Sequence, residues 1–353
     1  MRVSICSKSD SKMDTKSITS SRTREDVEGQ PVAKKSRLVL KTIIYDESKP
    51  NQWLDDPPLA VWDHMIIPFL SLRDLALSRH VCTFFEAYWQ DKFQNNVLPL
   101  RVGSDVATID EVMGVIEILS RRREYTKASP FVVLLAKGEH EVTSSWTDIH
   151  GIQGATLREA TLGITCSNIT IIGQGIGETT ILGGFGICNV QNITLKQMTV
   201  TNNTNDWGYG IRMIGAEVEL LDVAIVRCGS SGIYADFSGT VLSQLVLVAT
   251  RCEISNNSGS GLYIHNYYNI PFNVCLKNCI SHHNHVGIDV YGKGLVNVYG
   301  EATAIHSNAY YGIAAGNSGK VLLHLPSHHN TSYNNGEEDR RKLGGGTITN
   351  VED

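Results

Sequence analysis

The sequence lacks a dominant charge and any long apolar run, and each lack removes a class of function. Its 353 residues carry a formal net charge of -5 at pH 7, so there is no global basic field, and nucleic acid is not expected as a partner. No apolar run reaches the roughly 18 residues that a spanning helix needs, and the start MRVSICSKSD has no apolar signal-peptide core. No membrane partner is expected, and a cytoplasmic or nuclear location is. The eight cysteines stand at 6, 82, 166, 188, 228, 252, 275 and 279, with no CxxC pair among them. Reduced, mostly buried thiols are expected rather than a disulfide framework or a paired zinc site. What remains is an ordinary soluble composition, 42% hydrophobic, long enough for about two domains with a sizeable core.

Residues 1–45 are rich in Ser, Thr and charge with few aromatics, so a disordered tail is expected. The run AKKSRLVLK within it reads as solvated charge, or as a weak nuclear signal. From Asp56 the pattern becomes helical. DPPLAVWDHMII offers an N-cap with Pro in the first turn, SLRDLALS a start like a capping box, and HVCTFFEAYWQDKF a third amphipathic stretch. Three short helices cannot bury much surface alone, so a partner helix or a neighbouring domain must cover the rest.

A further helix follows in TIDEVMGVIEILSRRR, with Thr108 and Glu111 as a capping box and Ile109, Val112, Met113, Ile116 and Leu119 on one face. From FVVLLAKGEHEV onward, strand-like segments alternate with Gly/Asn turns. Ile225, Ile254, Ile280 and Ile305 each precede a Gly by seven residues, at Gly232, Gly261, Gly287 and Gly312. The Ile positions are 29, 26 and 25 apart (254-225, 280-254, 305-280), and Thr331 lies 26 beyond Ile305. Such a period means a solenoid. The leucine-rich pattern LxxLxLxxN is missing, and no stretch between strands could supply a helix per repeat. A parallel β-helix is therefore expected, with the Ile column inward and Asn257, His283, Asn308 and Asn334 at a corner, where Asn suits a left-handed turn and can bond along the stack. The Gly column would allow positive φ or tight approach.

Two resemblances give this outline names. The segment over 52–100 resembles an F-box, through Pro58, Val61, Ile66, Phe69-Leu70, Asp74-Leu75 and Val81-Cys82, with Pro57 where Leu is usual and Ile67-Pro68 as a slightly longer link. The resemblance implies docking on a Skp1-like adaptor, and so to a cullin, through Pro58, Val61, Ile66, Phe69, Leu70, Leu75, Val81 and Cys82. The bland alternative is a small helical cap on the protein itself. The region from about 130 to 349, through VVLLAKGEHEV and NITIIGQGIGETTILGG, resembles the pectin-lyase-like right-handed parallel β-helix superfamily, with the helix before it capping the first coil, so that the expected domain is 104–349. The fold class expected is thus mostly β, a pectin-lyase-like solenoid preceded by a small α-helical F-box. Together the two resemble F-box proteins bearing β-helix repeats.

Enzymes on this scaffold need clustered carboxylates. The outward acids after each Gly are Asp236 and Asp289, two coils apart, and the family's Asp-Asp, Gly-His-Gly and Arg-Ile-Lys signatures are missing from the coils, so no catalytic residue is expected. CISHHNHVG invites a zinc reading of Cys279, His282, His283 and His285, but neighbours on an extended strand face apart, and no metal or cofactor is expected. GQGIGETT is read as a structural turn, since no helix follows it. The function expected is a non-catalytic substrate adaptor of a ubiquitin ligase. The alternative is an intracellular carbohydrate-binding or carbohydrate-active β-helix. Alternation places Arg212, Tyr234, Tyr263 and Asp289 in one outward column, with Asp236, His265 and Tyr291 beside it, as the surface for a protein or glycan target. The turn around Asp206, Trp207 and Tyr209 is the next candidate.

Overall fold

The structure, a computed structural model, describes residues 99–352 except 121–122, 151–153, 205–206, 237–244, 267–271 and 325–330. The expected tail, and the F-box-like positions from Pro58 to Cys82, lie outside the described residues.

Segments such as Leu245–Thr250 (LVLVAT) and Phe272–Lys277 (FNVCLK) alternate by twos, so every second side chain points one way. Leu245, Leu247, Ala249, Phe272, Val274 and Leu276 are all buried. Neighbouring strands pair in parallel, Leu245 opposite Phe272 and Thr250 opposite Lys277. A parallel partner needs a long return connection, and here that return is the rest of the coil. The result is a right-handed parallel solenoid of about seven turns with a single helix among the described residues.

Each coil has three faces. The first is a ladder of Leu100–Val102, Phe131–Leu135, Ile169–Ile172, Ile193–Thr201, Glu217–Val226, Leu245–Thr250, Phe272–Lys277, Gly294–Tyr299, Gly319–His324 and Thr347–Val351. The second carries Glu253–Ser255, Ile280–His282, Ala304–His306 and Ser332–Tyr333, continuing from the far end of Glu217–Val226. The third stacks Thr161–Ile164, Gly184–Cys188, Ile211–Ile214, Ile233–Asp236, Leu262–Asn266, Ile288–Gly292, Tyr311–Gly316 and Glu338–Lys342. Pairing extends the solenoid beyond the expected 104–349. Leu100–Val102 lies parallel to Val133–Leu135 with Leu100 and Val102 in the core, and the last strand ends at Val351.

The helix expected after residue 108 is α1, Asp110–Ser120, which buries Val112, Val115 and Ile116 against the same core. Its capping differs from the expected box: Glu111 accepts a hydrogen bond from the Ala107 N–H at 3.0 Å. Asp110 instead accepts from the N–H and hydroxyl of Thr143 and the N–H of Ser144, and these bonds hold its carboxyl below the usual range against the opposing effect of burial.

Two corners close each coil, and each turns on one residue with positive φ. Between the first and second faces these are Gln197, Asp222, Arg251 and Asn278, with Gly300 following. Between the second and third they are Arg227, Asn256, His283, Ser307 and Asn334. Asparagine suits this conformation best. At the first corner Arg251 offsets its strain by a two-pronged contact with Asp222 of the adjacent coil, 2.6 and 2.7 Å.

The second corner corrects the sequence register. Ile225 and Ile254 pair as expected, but Ile254 then pairs with Ser281, Ser281 with Ile305, and Ile305 with Ser332. Ile280 is 38% exposed on the outside. The bonded amides are likewise Asn257, Asn284, Asn308 and Asn335, each one residue after the left-handed position. The Oδ1 atoms of Asn284, Asn308 and Asn335 accept from the backbone N–H one coil earlier at 3.0–3.1 Å and from its Nδ2 at 2.9–3.2 Å. Asn257 starts the run on the Cys228 N–H, and the Asp339 carboxylate ends it. The expected His283 and Asn334 are the turn-makers, not the rungs. The Gly column is kept at Gly232, Gly261, Gly287 and Gly312 for tight approach alone, since none has positive φ. A Cβ on Gly232 would sit 2.7 Å from Ile254 Cγ2 and 2.9 Å from Asn257 Nδ2.

Candidate functional site

The outer side of the third face follows from its pairing. Arg212, Tyr234, Tyr263 and Asp289 are opposite one another in successive strands, and Asp236, His265 and Tyr291 form the parallel column two residues on. Both columns expected from alternation are therefore present. What the sequence did not disclose is how deeply they are packed. Arg212 and Asp236 are not surface charges: their side chains are 2% and 5% exposed, joined by a 3.2 Å ion pair. Two such ions out of water need each other, because breaking a buried pair strands a charge.

Aromatic rings continue the column. Tyr209 and Tyr234 lie 4.9 Å apart by ring centroids, Tyr234 and Tyr263 5.2 Å, Tyr263 and His265 5.6 Å, and His265 and Tyr291 5.9 Å. The Arg212 guanidinium sits over the Tyr234 ring at 4.4 Å and the Tyr209 ring at 5.4 Å. Burial, with Asp236 adding to it, pushes the Tyr234 phenol well above its ordinary range. Burial also lowers His265, Arg212 pushes the same way, and Asp236 opposes. His265 is neutral at pH 7 on that account, and its 3.9 Å approach to Asp236 is not the pair that neutralises this carboxylate.

Asp289 stands differently. It is half-buried, its carboxyl has no hydrogen bond or ion pair among the described residues, and burial alone pushes that carboxyl up to about 6. Beside it in the column are Tyr263 on one side and the small Ala314 on the other. Tyr291 lies over Gly316, its ring 3.3 Å from where a Cβ would be.

Sequence reasoning missed the lid over the N-terminal end of this face. An antiparallel hairpin, Trp146–His150 with Gly154–Arg158, precedes the first third-face strand. Its Trp146 indole lies flat over the outward positions Gly163 and Gly186, where a Cβ would come within 2.6 and 2.3 Å of the ring. Those two glycines, in line with Arg212, were the available signal. Arg158 lies over Trp207 at 4.8 Å and Tyr209 at 5.6 Å. The next-candidate turn thus joins the same cluster through Trp207 and Tyr209, while Asp206 lies outside the described residues.

The other sequence motifs resolve separately. His282 and His283 do not face apart, because left-handed His283 brings the two Nδ1 atoms to 2.7 Å. Even so, no group of three metal-ligating side chains occurs among the described residues. Cys166, Cys188, Cys228, Cys252, Cys275 and Cys279 form no disulfide with one another. Gly175 and Gly177 make a turn with positive φ that leads into the strand Thr179–Leu182. No helix among the described residues is long and apolar enough to cross a membrane.

Compared with known proteins, residues 209–345 match the family described as "Right handed beta helix region". The match takes in both outward columns, from Arg212 to Tyr291. No curated protein and no solved structure matches.

Proposed function

We propose that the protein is a non-catalytic recognition adaptor, with the third face of the β-helix as its target-binding surface and the F-box-like segment as its link to a Skp1-like adaptor and cullin. The observation that carries the first half is the half-buried row Tyr263, His265, Asp289 and Tyr291, set out at fixed spacing on stacked coils. Aromatic anchors held rigid lose little entropy on binding, which suits them to recognition. The second half rests on the Pro58 to Cys82 pattern alone. Asp236 is already engaged by Arg212, which speaks against its use as a catalytic acid.

Affinity purification of the full chain with mass spectrometry tests both halves. Leu75→Asp or Val81→Asp should abolish recovery of the Skp1-like adaptor, since an isolated carboxylate at an apolar contact costs far more than the anchor contributes. Full recovery with either variant sinks the F-box assignment. Tyr234→Ser, Tyr263→Ser and Tyr291→Ser combined should leave adaptor recovery intact and remove the other partners. An unchanged partner list in a folded triple variant places recognition on another face.

A second reading, a carbohydrate-binding or carbohydrate-active protein, is favoured by one observation. Asp289, pushed up to about 6, lies beside tyrosines that could stack on sugar rings. Glycan-array binding or release of reducing ends, lost in Asp289→Asn, would support it over the adaptor.

A further inference from the structure

The last residues of the second-face strands, Ser255, His282, His306 and Tyr333, stand opposite one another in successive coils. Each is followed by a left-handed corner residue, Asn256, His283, Ser307 or Asn334, and that conformation brings the corner side chain back beside the row. In two of the coils the resulting pair joins a donor to an acceptor. Asn256 donates from Nδ2 to Ser255 Oγ at 3.2 Å, and the Ser307 hydroxyl lies 3.1 Å from His306 Nδ1. In the coil between them the pair is two imidazoles, His282 and His283, with their Nδ1 atoms 2.7 Å apart.

Glu253, one coil earlier, sets the roles of these nitrogens. Its Oε1 lies 3.2 Å from His282 Nε2, and a carboxylate only accepts, so Nε2 carries a hydrogen. The Ser255 hydroxyl donates to the same oxygen at 2.9 Å and holds it there. In the neutral ring a hydrogen on Nε2 leaves Nδ1 as a lone pair, and that lone pair faces His283 Nδ1. Two such nitrogens share either a hydrogen or a cation. A histidine whose far nitrogen donates to a carboxylate is the arrangement by which metal sites fix the tautomer and raise the basicity of a ligand.

We propose that His282 and His283 chelate a divalent transition-metal ion through both Nδ1 atoms, copper(II) or nickel(II), with Glu253 as a positioning residue. With metal–nitrogen bonds of about 2.0 Å, the 2.7 Å separation subtends about 85° at the ion. Tetrahedral zinc would need its two nitrogens about 3.3 Å apart, whereas tetragonal copper(II) and nickel(II) take imidazole near a right angle. His283 is exposed and His282 half-buried, so an ion reaches the pair from solvent. Water fills the positions that the two rings leave. The site belongs to the second face and does not depend on the recognition reading of the third.

Copper(II) at one equivalent, added to the full-length protein against excess citrate, a competitor without nitrogen, and read by electron paramagnetic resonance, tests the chelate. The expected spectrum is tetragonal, split by two imidazole nitrogens. His283→Asn places at the corner the residue that Asn256 and Asn334 already supply there, and His282→Ser repeats Ser255, so both variants keep the fold. Each should lose one nitrogen splitting and bind copper at least about tenfold more weakly. Glu253→Ala should weaken binding about tenfold, and Glu253→Gln, whose amide oxygen still accepts from Nε2, should recover part of that loss. Copper bound equally by the native protein and both histidine variants is held elsewhere on the chain and overturns the proposal, as does a native spectrum without two nitrogens.

Discussion

Replacing Asp289 by Asn should stabilise the protein at pH 8 and do so much less at pH 4. Burial pushes the Asp289 carboxyl up to about 6 from 3.8 in an unperturbed chain. Between those values the folded protein holds the proton that the unfolded chain releases, so folding takes up a proton and stability falls as pH rises. The advantage of the protonated form is complete below about pH 4 and lost as pH passes through 6. At about 1.36 kcal/mol per pH step, the change is about 3 kcal/mol in total. Asn carries no charge at either pH, so any cost of its own amide is the same in both conditions and cancels from the comparison. Urea unfolding of both proteins at pH 4 and pH 8 should therefore show the variant gaining about 3 kcal/mol on the native sequence between them. A difference that is the same at both pH values, within about 0.5 kcal/mol, would refute the picture of an unpaired, desolvated carboxylate.

Three other substitutions probe the frame around it. Arg212→Ala should cost roughly 3–5 kcal/mol by stranding Asp236, and the pair Arg212→Met with Asp236→Leu should recover most of that in urea unfolding. Asn284→Ala should cost roughly 2–5 kcal/mol, because it leaves the Asn257 donors and the Ile254 carbonyl buried without their partner. Ile254→Ala should cost about 2–5 kcal/mol through the cavity it leaves, whereas Ile280→Ala on the outside should shift the urea midpoint by an amount worth under about 0.5 kcal/mol.

The β-helix and its faces were legible because two periods coincide in the sequence. Alternation by twos marks which side chains turn inward, and the spaced glycines mark where each third-face strand begins. Alternation counted from those glycines placed Tyr263, Asp289, His265 and Tyr291 together correctly, because that count crosses no corner. The Ile column failed at Ile280 because its count runs through a corner one residue shorter: Ser281 to Gly287 spans six residues, against seven from Ile254 to Gly261. His283 misled for a related reason, since it occupies the left-handed place that Asn256 and Asn334 fill elsewhere. Burial was the other blind spot. Arg212 and Asp236 read as surface charges because alternation says outward, not uncovered, whereas the rings of Tyr209 and Tyr234 pack against Arg212. The F-box-like segment rests on its resemblance to that family, and its residues lie outside the described ones.

Rungs of the asparagine ladder are separated by 27, 24 and 27 residues, yet successive third-face strands remain in register. Each rung acts as a synchroniser: whatever length a coil has spent elsewhere, the next begins from the same amide. Insertions and deletions between rungs therefore alter one turn's outline without shifting the phase of the turns that follow. Variation of that kind could remodel the edges of the third face freely while leaving the spacing of its tyrosines untouched, so that the reach of the surface and the register of its contacts can change independently.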